Sequence, residues 1–122
     1  MKLKALINNL FHNKYIPILW TITIFVLCTL PSDKLPQNES FNDKTAHFVV
    51  FAIFSFLWLF INKNYWQILL WGISFGVFIE FWQAMLPTSF HRSGDVWDAV
   101  ADAVGVVIGI LIHFVYQRLL KD

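Results

Sequence analysis

The sequence predicts an all-α integral membrane protein, a bundle of four transmembrane helices with both termini in the cytoplasm. Three observations predict it. Hydrophobic residues fill 57% of the 122 positions and charged residues only 14%, with a mean hydropathy of +0.58, far from the balance of a soluble domain of this size. The apolar residues gather into four runs, 15–30, 46–61, 65–86 and 96–116. The cations fall unevenly between the segments that join those runs. The length suits a single domain over residues 1–122.

Each run reads as a helix, and a spanning helix needs about 20 apolar residues. The runs 65–86 and 96–116 meet that length, whereas 15–30 and 46–61 are short. The second is extended by Lys44 and Thr45, with the lysine stem snorkelling, or crosses a locally thin region. The first follows Lys2, Lys4 and Lys14 like a signal peptide. The residues after it, Thr29, Leu30, Pro31 and Ser32, lack a small-x-small cleavage pattern, so retention as an anchor is expected. Cys28 is the sole cysteine, which excludes an internal disulfide and a cysteine metal cluster and leaves it to pack as a small hydrophobe.

Orientation follows from the cations. Lys2, Lys4, Lys14, Lys63, Arg118 and Lys121, six in all, fall on the side of the termini and the Asn62-Lys63-Asn64 turn, against three, Lys34, Lys44 and Arg92, on the other. The positive-inside rule places the former side in the cytoplasm. Segments 31–45 and 87–94 then face outward. Tyr15, Trp58, Tyr65, Trp66 and Tyr116 mark the inner boundary, and Trp82 and Trp97 the outer one. A net charge of +1 spread along the chain offers no surface for nucleic acid.

Within this topology the ionisable residues embedded in apolar runs fall into register. His47 lies four residues after Asp43, Glu80 seven before Pro87 and Asp102 seven after Asp95. Seven helical residues rise roughly 10 Å, so Glu80 and Asp102 are expected at one depth below the outer surface, with His47 and Asp98 slightly above. Ionisable groups are costly at such depth and ask for a role.

Spacing by three and four residues adds a face to the depth. The third run carries Gly72, Gly76, Glu80, Gln83 and Pro87 on one stripe; the fourth carries Asp95, Asp98, Asp102, Gly105 and Gly109. Small residues let helices approach closely in lipid. Gly72 and Gly76 are therefore expected to pack against Gly105 and Gly109 and hold the acids above them. His12, His91 and His113 lack a partner pattern and read as interfacial. The phenylalanine-rich stretches read as packing or lipid-facing surface.

The strings Asp43-Lys44-x-x-His47-Phe48-x-x-Phe51, Glu80-x-x-Gln83, Arg92-x-x-Asp95 and Asp98 to Gly105 and Gly109 resemble the VanZ-like membrane proteins, over about residues 43–109. The resemblance implies a small multi-helix bacterial membrane protein, of a family named for a member linked to low-level teicoplanin resistance. Where the family pattern commonly has asparagine before the first glycine of the last helix, this chain has Asp102. That adds a charge at the deepest position.

Three classes of function remain. One is a non-enzymatic envelope protein whose outward-facing site recognises a lipid head group, a lipid-linked glycan or a glycopeptide antibiotic, with Asp43, Lys44, His47, Glu80, Gln83, Arg92, Asp95, Asp98 and Asp102 as candidate ligand-binding residues. Another is a membrane enzyme on such a substrate; without a serine nucleophile motif, a phosphate-binding glycine loop or a thiol pair, only acid–base or metal chemistry is open to it. The third is a structural protein whose polar cluster locks helices together. No cofactor is demanded. A divalent metal ion on His47, Glu80, Asp98 and Asp102 is the open option, since imidazole and carboxylate suit zinc or manganese. Membrane lipid and a lipid-linked intermediate or glycopeptide are the expected partners.

Overall fold

A computed structural model describes residues 2–29, 43–87 and 96–119. The described residues form five helices and no strand: α1 (Lys2–Phe11), α2 (Tyr15–Thr29), α3 (Asp43–Trp58), α4 (Tyr65–Met85) and α5 (Val96–Leu119). Helices α2 to α5 correspond to the four apolar runs. Helix α1 is an addition: its leucines at 3, 6 and 10 repeat with helical spacing, a pattern hidden among the lysines and asparagines of a segment read only as a basic flank.

Local sequence sets the helix ends. Asn13 starts α2 by accepting the Tyr15 amide on its side chain at 3.0 Å, and Pro17 stands in the first turn, where a missing N–H costs nothing. Asn64 caps α4 by accepting the Gln67 amide at 3.2 Å. Helix α4 stops where Leu86, extended at φ −69° and ψ 152°, precedes Pro87. Helix α3 ends at Trp58, short of residue 61, because the chain tightens: the Phe60 amide bonds the Leu57 carbonyl and the Ile61 amide the Trp58 carbonyl.

Two helices, α4 and α5, are long and apolar enough to cross a membrane, and a third span arises if the pair Ala5–Phe11 and Tyr15–Thr29, bent by 57°, counts as one. The apolar part of α3, Thr45–Trp58, is shorter. Helix length thus supports a membrane protein with two to three spans, where the sequence predicts four.

The core is one cluster drawn from all four longer helices: Ile24 and Cys28 of α2, Phe51 and Phe54 of α3, Ile79 of α4 and Val106 of α5. Phe75 stacks between them, 5.6 Å from Phe51 and 5.5 Å from Phe54 by ring centroids. Two phenylalanines of α4, Phe78 and Phe81, are exposed instead. Indole donors tie α2 to its neighbours: Trp20 donates to the Val50 carbonyl, Trp58 to the Thr21 hydroxyl and Trp82 to the Thr29 hydroxyl, all at 2.9–3.0 Å.

The most extensive helix contact joins α3 and α5, which run parallel, and the α5 glycines make it. A Cβ at Gly105 would run into the Phe48 carbonyl, and one at Gly109 into the Ser55 hydroxyl and the Ala52 carbonyl. The Ser55 hydroxyl donates across the same seam to the Val106 carbonyl at 2.9 Å. Gly72 and Gly76 of α4 face Val106 and Asp102 of α5. The expected glycine-on-glycine packing is therefore corrected: both pairs hold α5, but Gly105 and Gly109 receive α3, and Gly72 and Gly76 receive side chains.

That distinction is testable at Gly72, where an added Cβ would lie 2.5 Å from Val106 Cγ2, the end of a side chain. Gly72→Ala is expected to lower the unfolding midpoint in detergent by the equivalent of about 1–3 kcal/mol. Adding Val106→Ala should recover part of that loss. No recovery would mean that the clash is not with Val106.

Candidate functional site

Helices α3, α4 and α5 bring four ionisable side chains together at the end of the bundle where α3 and α5 begin. His47 lies one turn into α3, Glu80 about one and a half turns before the end of α4, and Asp98 and Asp102 in the opening turns of α5. Those opening turns expose free amides and the positive end of a helix dipole, which favour carboxylates. Asp98 stands in that first turn.

His47 is the hub. Its Nδ1 is 2.8 Å from Asp102 Oδ1 and 4.0 Å from Glu80 Oε1; its Nε2 is 3.9 Å from Asp98 Oδ2. All four residues are buried, with Asp102 at 0% exposure. Ionised, Asp102 would accept from the Nδ1–H of His47; protonated, it would donate to Nδ1. Across the ring Nε2 faces Asp98. A carboxylate bonded to one imidazole nitrogen fixes the orientation of the ring, which acid–base chemistry at a histidine needs.

A second chemistry is compatible with the same atoms. One ligand atom each from His47, Glu80 and Asp102 lies within 4.8 Å of the others, a mixed nitrogen and oxygen set suited to a small divalent cation. The two arrangements compete at Nδ1, which carries either the proton shared with Asp102 or a metal bond.

The other candidates are distributed unevenly. Gln83 is 2% exposed and donates to the Cys28 carbonyl at 3.1 Å, joining α4 to α2. Asp43 and Lys44 open α3, but their side chains lie outside the described residues, as do Arg92 and Asp95. Near the site Thr45, Val96 and Trp97 are exposed, and the Trp82 ring sits on Phe25 at 5.3 Å.

At the opposite end His113 departs from its expected interfacial place. It is 3% exposed and sits against the rings of Phe56, Phe60 and Tyr116, at 4.6 to 6.3 Å. Its Nδ1 donates to the Phe56 carbonyl at 3.1 Å, and its Nε2 accepts from Gln117 at 3.3 Å. Because the Phe60 amide has turned to Leu57, the Phe56 carbonyl lacks its helical donor, and His113 supplies one. His113 is thus the C-terminal cap of α3. Its mark in the sequence is the four-residue spacing of His113 and Gln117; the partner carbonyl leaves none. His12 is exposed as expected and bonds the Asn8 carbonyl; His91 lies outside the described residues.

Residues 4–117 match the family model described as VanZ/LLP1. No curated protein and no solved structure matches the chain.

Proposed function

The chain belongs to the VanZ/LLP1 family, and from that premise we propose that it is a multi-pass protein of the bacterial inner membrane that binds the polar head of an envelope amphiphile at His47 and transfers a proton there. In this reading α2 to α5 all cross the bilayer. Helix α3, with 16 residues and about 24 Å of rise, crosses where the bilayer is thin or relies on the polar residues that flank it. Both termini lie in the cytoplasm, as the cation distribution asks, and the His47 centre opens outward. The bound head belongs to a lipid, a lipid-linked glycan or a glycopeptide antibiotic; in the last case the protein contributes to teicoplanin-type resistance.

The single observation that carries the reading is the 2.8 Å bond between His47 and the fully buried Asp102. Recognition alone is served by donors and acceptors at the mouth of a site; a histidine oriented from beneath is what a proton carrier requires. The described groups around the ring are carboxylates, which suit a hydroxyl or amine of the head group. The imidazole of His47 takes the proton of a hydroxyl or water whose oxygen bonds to the phosphorus or anomeric carbon of the head group, and returns it to the oxygen whose bond to that atom breaks, with Asp98 steadying the imidazolium between the two steps.

The test uses the full chain in nanodiscs made from a bacterial polar-lipid extract, with head-group composition followed by mass spectrometry. The wild type is expected to change that composition with time. Glu80→Gln and His47→Gln should fold and insert normally, with turnover lower by about a hundredfold or more for His47→Gln. An extract left unchanged by the wild type, or turnover undiminished in His47→Gln, would overturn the catalytic reading.

The second reading, a divalent ion on His47, Glu80 and Asp102, has the clustering of their ligand atoms in its favour. Zinc or manganese titrated into the purified full chain would then bind at one equivalent and raise the melting temperature, and Glu80→Gln would abolish both effects. The acid–base reading expects no stoichiometric binding. One equivalent bound by the wild type and lost in the variant would replace it.

A further inference from the structure

We infer that α1 is an interfacial anchor, lying in the head-group layer of an anionic leaflet at the end of the bundle opposite His47. Its apolar residues divide between two surfaces. Phe11 packs on Phe56 and Phe60, at 6.3 and 5.1 Å between ring centroids, and Asn8 accepts from the Tyr116 hydroxyl at 3.3 Å. Leu3, Leu6 and Leu10 are each more than half exposed. Separated by three and four residues, these leucines form one stripe, and nothing among the described residues covers it.

The occupant follows from charge and connection. Asp98 and Tyr116 are 18 residues apart on α5, about 27 Å of rise, so α1 sits a membrane's depth away from the acid cluster. Every described aspartate and glutamate, namely Asp43, Glu80, Asp98 and Asp102, belongs to the other end. The end bearing α1 has Lys2 and Lys4 in the helix, and exposed Lys14, Lys63 and Arg118. Exposed Tyr15, Tyr65 and Trp66 stand at the same level, where amphipathic rings gather at a membrane surface. Basic residues beside an exposed leucine stripe fit phosphate head groups above an acyl boundary.

The corner between α1 and α2 argues against reading the pair as one broken span. It turns the chain by 57° through His12, Asn13 and Lys14, all exposed. The corner is internally bonded: the His12 amide reaches the Asn8 carbonyl, the Ile16 amide the Asn13 carbonyl, and the Tyr15 amide the Asn13 side chain. Three polar residues facing hydrocarbon would be costly. At the interface they are solvated, and the bend sets α1 off the axis of α2.

Single cysteines introduced by Leu3→Cys and by Ala5→Cys in the full chain, both at exposed positions on different faces of α1, labelled with an environment-sensitive fluorophore in nanodiscs, test this; buried Cys28 in the unmodified chain is the labelling control. In nanodiscs containing phosphatidylglycerol, a lipid-borne quencher placed near the head groups is expected to act several-fold more strongly at position 3 than at 5, and iodide the reverse. Replacing phosphatidylglycerol by phosphatidylcholine, or raising the salt, should shrink the contrast. Equal access of iodide to both sites would overturn the inference. So would protection of position 3 from both quenchers, the signature of a second protein copy, and so would strongest quenching by a probe at the bilayer centre, the signature of a broken span.

Discussion

Asp102→Ala is expected to destabilise the folded bundle by about 3–5 kcal/mol, measured by denaturant titration in mixed micelles. The carboxylate is wholly buried and holds His47 at 2.8 Å. Its removal takes away the 2.8 Å partner of His47 Nδ1, leaving Glu80 Oε1 4.0 Å off, and opens space beside Gly76, whose added Cβ would stand only 2.9 Å from Asp102 Cβ. Asp102→Asn keeps the size and an acceptor oxygen for the ring proton, so it should cost much less, on the order of 1 kcal/mol. The pair of variants separates shape from charge. In a cycle with His47→Ala, the double variant should lose less than the sum of the singles, since each residue is the other's partner. Strict additivity would show that the bond contributes nothing to stability.

Gly105→Ala and Gly109→Ala are expected to act as strongly by another route. A methyl group at either position meets backbone, the Phe48 carbonyl at one and the Ala52 carbonyl at the other. Relief requires α3 and α5 to separate. Each variant should cost at least the 1–3 kcal/mol typical of overpacking, and a further part of the van der Waals contact that holds helices together in lipid. Ser55→Ala is not expected to rescue Gly109→Ala, because the Ala52 carbonyl remains in the way and the bond from Ser55 to Val106 is lost. Detergent unfolding midpoints check both points. A variant of either glycine that unfolds like the wild type would mean that the helices adjust more freely than their backbone contact suggests.

Membrane class and the helical runs were legible because length and apolar composition are properties of a segment by itself. The convergence of His47, Glu80 and Asp102 was legible too, since periodicity and a common depth coordinate put them on facing stripes before any contact was known. Partner identity was not. Asp102, Gly105, Val106 and Gly109 occupy one broad face of α5, and spacing says only that they share it; in the bundle that face is divided, the Val106 side chain toward α4, the glycines toward α3 and Asp102 between them, against Gly76 and His47. His113 was misplaced because its partner is a backbone carbonyl released by a tightened turn. Helix α1 was missed because ten residues with two lysines and two asparagines dilute the apolar signal, although the leucine spacing was there to be read.

The division of the α5 face also decides which part of the molecule can yield. Helices α3 and α5 meet backbone to backbone at Gly105 and Gly109, so His47, Asp98 and Asp102 ride on one stiff unit. Helix α4 meets that unit through the Val106 and Asp102 side chains at Gly72 and Gly76, and is roped to α2 by Gln83 and Trp82. Helix α2 is bonded to α3 as well, through Trp20 and Trp58, so α4 is the helix that meets α5 through side chains alone at its glycines. Glu80 rides on α4, so its 4.0 Å distance from His47 is the dimension of the centre that side-chain repacking can change without parting backbones.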